Sequence, residues 1–277
     1  MIRTSEAIYK YLRPDKKYPH VWCPGCGIGI VTGALVRAIE RTGLTKDEIA
    51  LVSGIGCSGR VSTYLDFNTL HTTHGRALAF ATGLKLAKPS LTVIVVMGDG
   101  DATAIGGNHL IHSCRRNINI TSLIINNNIY GMTGGQYSPT TPTDHKASTA
   151  QYGSIEKPFD ICKLVEACGA SFVARGTAYH AKMLDALIER AINKKGFSVV
   201  EALSQCPTQY GRRNKLGGPI EMMQWYKDNA IHYTAFNKLS TDEIGEQFPI
   251  GVLTDLDEPD YLERYSRIIK EAGSEGQ

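Results

Sequence analysis

Apolar residues fall into two alternating spacings along this chain. Residues 92–97 (Thr-Val-Ile-Val-Val-Met) form an unbroken, largely β-branched run, suited to a strand buried on both faces of a parallel sheet. Residues 120–125 are apolar enough to be its neighbour, and shorter runs at 49–53, 172–174 and 197–202 predict further strands. Between these runs the apolar positions take helical spacing. The pattern predicts helices over 28–42, over 75–87 (Leu78, Ala81, Leu84 and Leu86 apolar, Pro89 the stop), over 106–117 with Leu110, Ile111 and Cys114, and over 161–169 and 180–194. This alternation predicts an α/β fold, one doubly wound parallel sheet with helices on both faces. Residues 1–20 read as a polar arm ending at Pro19, residues 219–238 as a helix, and the tail from Pro249 as lying over the surface or against a partner.

Candidate chemistry begins at two strand ends. Asp99, in Gly98-Asp99-Gly100, and Asn127 terminate the two strands of one βαβ unit, at the edge where open α/β sheets bind ligands. A carboxylate oxygen, an amide oxygen and a nearby backbone carbonyl suit Mg²⁺, which in turn holds phosphates. The glycines let backbone approach a diphosphate. Alone, Gly-Asp-Gly reads as a tight turn and Asn126-Asn127-Asn128 as a polar loop; their pairing on adjacent strands argues for a site. Residues 131–158 are rich in Gly, Thr, Ser and Pro with little periodicity, and so long an unpatterned stretch inside an α/β domain is usually functional.

Composition narrows the class. The chain has 277 residues, 42% hydrophobic and 21% charged, as in a soluble globular protein of one large or two small domains. A net charge of +3 is too small to argue for nucleic acid, and Arg115-Arg116 and Arg212-Arg213 read as local surface charge. No apolar stretch approaches the ~20 residues of a membrane helix. Residues 1–6 lack the apolar core of a signal peptide, so a cytoplasmic location is expected.

Seven cysteines in a reducing compartment argue against a disulfide framework. Cys114, Cys162 and Cys168 fall within apolar helical patterns and read as buried structural residues. Cys23 and Cys26 form a C-x-x-C, and these two, Cys57 and Cys206 all lie in Gly- or Pro-rich turns. Spacing leaves three readings open. A thioredoxin-like pair leaves Cys57 idle; a zinc site takes Cys23 and Cys26 with His71 and His74; a [4Fe–4S] cluster takes the C-x-x-C and two remote cysteines.

Gly98-Asp99-Gly100 followed by Asn126-Asn127 resembles the diphosphate-binding motif of thiamine diphosphate (ThDP) enzymes. That implies Mg²⁺ on the Asp99 and Asn127 side chains and the Ile129 carbonyl. Trp22-Cys23-Pro24-Gly25-Cys26-Gly27, Gly54-Ile55-Gly56-Cys57-Ser58-Gly59 and His74-Gly75-Arg76 ahead of this motif resemble the β subunit of 2-oxoacid:ferredoxin oxidoreductases, from about residue 22 to 142 and loosely to Cys206. The resemblance implies a ThDP-binding fold over residues 1–205 that also carries the iron–sulfur site. Residues 206–277 are then a C-terminal extension and partner-contacting tail. It further implies that Cys23, Cys26, Cys57 and Cys206 bind one [4Fe–4S] cluster. By the same resemblance Ile55, Gly56, Cys57, Ser58, His74, Gly100, Asp101, Gly131 and Met132 contact ThDP, and Arg60 faces the substrate carboxylate. His74 and Arg60 are thereby the catalytic candidates, and His71 is left as a structural residue.

The implied reaction is CoA-dependent oxidative decarboxylation of a 2-oxoacid, with electrons passing through the cluster to ferredoxin. One sheet's worth of sequence leaves no domain for the aminopyrimidine ring and no CoA site. An α subunit is therefore expected, in a heterodimer or a dimer of heterodimers. Gly134, where relatives carry lysine, and the run Gly-Met-Thr-Gly-Gly-Gln (131–136) resemble the 2-oxoglutarate enzymes most, with pyruvate or branched-chain 2-oxoacids as alternatives. Two rivals of other classes are an iron–sulfur or zinc electron-transfer module without ThDP, and a nicotinamide dehydrogenase. The second lacks a Gly-x-Gly-x-x-Gly turn after its strand.

Overall fold

The computed structural model describes residues 4–16 and 19–274, with side chains from Glu6 onward; residues 1–3, and with them part of the N-terminal segment read above, lie outside the described residues. Eight strands form one sheet: β1 (Ile49–Ser53), β2 (Asn68–His71), β3 (Thr92–Gly98), β4 (Ile120–Asn126), β7 (Phe172–Thr177), β8 (Phe197–Leu203), β9 (Ala230–His232) and β10 (Phe248–Asp255). A separate hairpin pairs β5 (Ile129–Tyr130) with β6 (Gln136–Tyr137). The order in the large sheet is β2-β1-β3-β4-β8-β7-β10-β9, parallel throughout except where β10 runs antiparallel to β7.

Strand alternation assigns each apolar residue to one of two cores. Ile49, Leu51, Ile94, Val96, Leu123, Ile125, Val200 and Ala202 face the helices Ile28–Thr42 and Ala181–Asn193. Their neighbours Ala50, Val52, Val93, Val95, Met97, Ile124 and Val199 face the helices Ala77–Ala87, Gly107–Arg116 and Ile161–Ala167. Both faces are therefore dry, which is why these strands read as continuous apolar runs. Arg37 clamps the first pair of helices together, its Nε and Nη2 donating to the two carboxylate oxygens of Asp185 at 2.7 Å each.

Four sequence expectations change. The N-terminal arm contains a helix, Thr4–Tyr11, that buries Ala7 and Tyr11. The polar strand β2 has no periodicity to announce it; its place at the sheet edge lets its side chains remain partly exposed. The helix expected over 219–238 ends at Asn229, and the chain turns into β9. The tail is not all surface: β10 lies between β7 and β9, so the C-terminal extension adds two strands to the same sheet.

Asp185→Ala leaves the half-buried Arg37 without its two-oxygen acceptor, and we expect a loss of about 1–3 kcal/mol, read as a lower urea midpoint with an unchanged m-value.

A candidate cofactor cleft and a ring of cysteines

Five adjacent parallel strands deliver their C-terminal ends to one edge of the sheet. The loop after β2 carries His74, that after β1 carries Cys57, that after β3 Asp99, that after β4 Asn127, and that after β8 Cys206. A cleft opens there, lined among others by Ile55, Gly56, Cys57, Ser58, His74, Asp99, Gly100, Asp101, Asn127, Ile129, Gly131 and Met132. Sequence reasoning singled out all twelve.

Asp99 is buried, and its Oδ2 accepts hydrogen bonds from Ser138 Oγ and Thr140 Oγ1, both at 2.6 Å. Its other oxygen, Oδ1, faces the Asn127 amide. One end of the Asn127 amide lies 2.7 Å from the Ile129 carbonyl oxygen and 3.3 Å from Asp99 Oδ1. An amide nitrogen at that end donates to both; an amide oxygen there calls for a cation among the three. Mg²⁺, with ligands at about 2.0–2.1 Å in octahedral array, holds adjacent oxygens about 2.9 Å apart, so the donor set fits. Burial pushes the Asp99 carboxyl above the usual carboxylate range, partly opposed by its hydroxyl donors, and an adjacent cation would reverse that shift.

Asp101 works differently. Its Oδ1 accepts from the Gly75 backbone N–H at 2.7 Å and lies 2.6 Å from His74 Nδ1, which fixes the His74 ring at the cleft. Burial raises the Asp101 carboxyl too. Gly54 is required beneath it, since a Cβ there would meet Asp101 Oδ2 at 1.6 Å. Gly100 has a packing reason not visible in the sequence: its added Cβ would lie 2.3 Å from the Tyr130 ring, whose hydroxyl donates to the Gly100 carbonyl at 3.0 Å. Burial pushes the Tyr130 phenol up to about 12, so it stays protonated and remains a donor.

The four loop cysteines surround the floor of this cleft. A Cβ on Gly131 would sit 3.6 Å from Cys57 Sγ and 3.7 Å from Cys206 Sγ. Three hydrogen bonds knit their loops: Trp22 Nε1 to the Cys57 carbonyl (2.8 Å), Gln205 Nε2 to the Gly25 carbonyl (3.0 Å) and Gly27 N to the Gln205 carbonyl (3.2 Å). Gly25, at φ +77°, lies against Pro219, which a Cβ would strike at 2.2 Å. All four thiols are free. Among the described residues, the group of His, Cys, Asp or Glu ligand atoms within 4.8 Å of one another is Asp160, Cys162 and Glu201, so no three of the four loop sulfurs come that close. Tetrahedral zinc, with Zn–S of about 2.3 Å, needs sulfurs about 3.8 Å apart. No three of the loop sulfurs are gathered that closely among the described residues. The histidines of the zinc reading engage other groups through Nδ1, His71 with Ser53 Oγ at 2.9 Å and His74 with Asp101 Oδ1 at 2.6 Å.

Arg60 is exposed, at the end of the turn Ser58–Arg60, and is not among the residues that line the cleft. Sequence reasoning missed Ser138, Thr140 and Tyr130; the first two lie in the long unpatterned stretch, and that stretch was the available signal.

Comparison with known proteins agrees with this geometry. Residues 54–202 match the family model described as "Thiamine pyrophosphate enzyme, C-terminal TPP binding domain". The chain is 51% identical to the 2-oxoglutarate synthase subunit KorB of Methanothermobacter marburgensis, over 95% of this chain and 92% of that one. It is 49% identical to the KorB subunit of Methanocaldococcus jannaschii, over 96% and 98%. Among solved structures, the 2-oxoglutarate:ferredoxin oxidoreductase from Magnetococcus marinus, with 2-oxoglutarate, coenzyme A and succinyl-CoA bound, aligns with a TM-score of 0.85 at 33% identity, covering 96% of this chain and 90% of that one. The chain belongs to the KorB family of 2-oxoglutarate:ferredoxin oxidoreductase (2-oxoglutarate synthase) subunits, built on the thiamine-diphosphate-binding fold.

Proposed function

We propose that this chain is the catalytic β subunit of a cytoplasmic enzyme that oxidatively decarboxylates 2-oxoglutarate to succinyl-CoA and CO₂ and passes the electrons to ferredoxin. The observation that carries the reading is the shared wall at Gly131: it lines the cleft beside the Asp99–Asn127–Ile129 oxygens, and a Cβ added to it would reach two of the four cysteine sulfurs. ThDP, when bound, supplies the carbon nucleophile that holds the electrons released with CO₂. A [4Fe–4S] cluster on Cys23, Cys26, Cys57 and Cys206 supplies the one-electron acceptor.

This chain's residues then have distinct tasks. Asp99, Asn127 and the Ile129 carbonyl hold Mg²⁺ and through it the diphosphate, while Ile55, Gly56, Ser58, Gly100 and Met132 form the walls around the cofactor. Asp101 orients His74. Gly134, at φ +113° with open space beside it, keeps the loop after Met132 free of side chains, and Arg213 Nη2 donates to its carbonyl at 3.0 Å. Arg60, exposed next to the cleft-lining residues Cys57 and Ser58, would face the substrate carboxylate.

An α subunit completes the site. Exposed Met132 (45%), Tyr152 (99%), Ile155 (94%) and Phe159 (50%) cluster in sequence around the loop that borders the cleft, an apolar surface that a partner would cover.

Three outcomes test this. First, the complex purified anaerobically contains iron, sulfide and ThDP; Asp99→Ala weakens Mg²⁺-dependent ThDP binding at least about 100-fold, and Cys206→Ser lowers iron content. Zinc without iron, or iron without ThDP, would overturn the proposal. Second, viologen reduction with 2-oxoglutarate exceeds that with pyruvate at least about tenfold in kcat/KM.

The third concerns pH. Burial, reinforced by the neighbouring cysteines, pushes Cys57 up to about 11 and Cys26 up to about 12 in the metal-free chain. Folded thiols raised above the unfolded value near 9.0 stabilise the metal-free fold below that value, and this stability is lost as pH rises toward 11 and 12. Cluster uptake must expel the same protons, so it strengthens over the same range. Denaturant midpoints of the metal-free chain should fall between about pH 8 and about pH 10, while iron–sulfur reconstitution improves.

A further inference from the structure

We propose that Glu201 is a positioning residue for the metal–diphosphate site, acting through the side chain of Asn126. This rests on Asp99, Asn127 and Ile129 being the Mg²⁺ ligands. Glu201 lies in the middle of β8, 2% exposed, with Phe197 and Val199 on the same face of the strand. A carboxylate is costly there, and an apolar side chain would pack as its neighbours do. Its burial therefore calls for a reason, and its partners supply one.

Glu201 Oε2 accepts from Arg175 Nε at 2.6 Å and from Cys162 Sγ at 3.2 Å. Arg175, also buried, reaches Asp160 Oδ1 with Nη2 at 2.5 Å. Asp160, Cys162 and Glu201 have the spacing of a metal site, but the Arg175 guanidinium is already the cation among them. The pair is neutralised, and Glu201 has one oxygen left. That oxygen, Oε1, accepts from Asn126 Nδ2 at 2.8 Å.

The consequence is directional. With its nitrogen held by a carboxylate, the Asn126 amide must present Oδ1 the other way, where it accepts the Asn128 backbone N–H at 3.0 Å. This closes a turn over residues 126–128 and holds Asn128 at φ +60°, a left-handed conformation that asparagine tolerates. The same turn brings one end of the Asn127 amide to 2.7 Å from the Ile129 carbonyl oxygen. Thr140, which donates to Asp99 Oδ2 at 2.6 Å, stands 3.2 Å from Asn126 Oδ1, so the two ligand-bearing loops share this contact. Were Asn126 to turn over, Nδ2 would face the Asn128 N–H, donor against donor, and the turn would open.

The test is a swap of hydrogen-bonding sense. In Glu201→Gln, Arg175 claims the amide oxygen and the amide nitrogen faces Asn126 Nδ2, which drives Asn126 over. Adding Asn126→Asp restores the match: the new carboxylate accepts the glutamine N–H with one oxygen and the Asn128 N–H with the other. In the assembled complex, the half-saturating Mg²⁺ concentration for ThDP binding should rise about 10- to 100-fold in Glu201→Gln and recover to within about threefold in the double variant. Maximal ThDP bound and iron content should stay unchanged. In the ThDP-free complex, hydrogen exchange should quicken over residues 126–130 in the single variant and slow again in the double, with β1 unaffected. If Glu201→Gln does not assemble, Asn126→Ala, which leaves Glu201 its Arg175 and Cys162 partners, carries the same expected loss of affinity. Unchanged Mg²⁺ dependence in the single variant, or no recovery in the double, overturns the inference. Asp99→Ala run in parallel separates the cases, since wild-type ThDP binding there would overturn the ligand reading itself.

Discussion

The parallel ladder that sets β2, β1, β3, β4 and β8 side by side is the constraint on which the rest depends. In a parallel sheet every C-terminal end emerges on the same edge, so five loops separated widely in sequence open onto one place. The registers Ser53 with Val96, Gly98 with Ile125 and Asn126 with Leu203 bring those ends level with one another. A slip of one residue in any of these strands would exchange its two core faces and turn its loop away. The two dry cores therefore fix the site as firmly as they fix the fold.

At that edge the chain concentrates groups that repel one another. Buried carboxylates at Asp99 and Asp101, the Ile129 carbonyl beside the Asn127 amide, and the Cys57 thiol line a cleft whose described walls carry no lysine or arginine. Raised carboxyl and thiol values are the same fact in protonic form: without positive charge, the groups prefer to be neutral. Deeper in the sheet the contrast is instructive. Around Glu201 the chain supplies its own cation in Arg175, and there the charges are closed and structural. The open set faces the cleft and the closed set supports it.

The fold was legible where apolar spacing is strong. Continuous runs gave the central strands because both their faces are covered, and the helix over 28–42 begins and ends as its spacing predicts. Polar β2 escaped notice because an edge strand needs no dry face, and β10 because its pairing with β7 is antiparallel and reached from a distant, more polar stretch. At the site, Asp99, Asn127 and the four cysteines were readable as residue types in glycine-rich turns. Ser138, Thr140 and Tyr130 were not, since a hydroxyl or a phenol in a loop carries no local signal of its partner.

The sequence by itself determined which residues carry charge and thiol, which runs are buried, and that two strand ends of one βαβ unit bear oxygen ligands. Those follow from chemistry and spacing within short segments. Only the tertiary structure decided that the exposed Arg60 is outside the cleft lining, that Gly100 makes room for Tyr130, and that Cys57 and Cys206, far apart in the chain, both come near Gly131. It alone joined Glu201 to Asn126, 75 residues apart in the chain. The physical reason is common to all four: direction and distance between side chains are properties of the pairing of strands, and no segment read alone contains its neighbour.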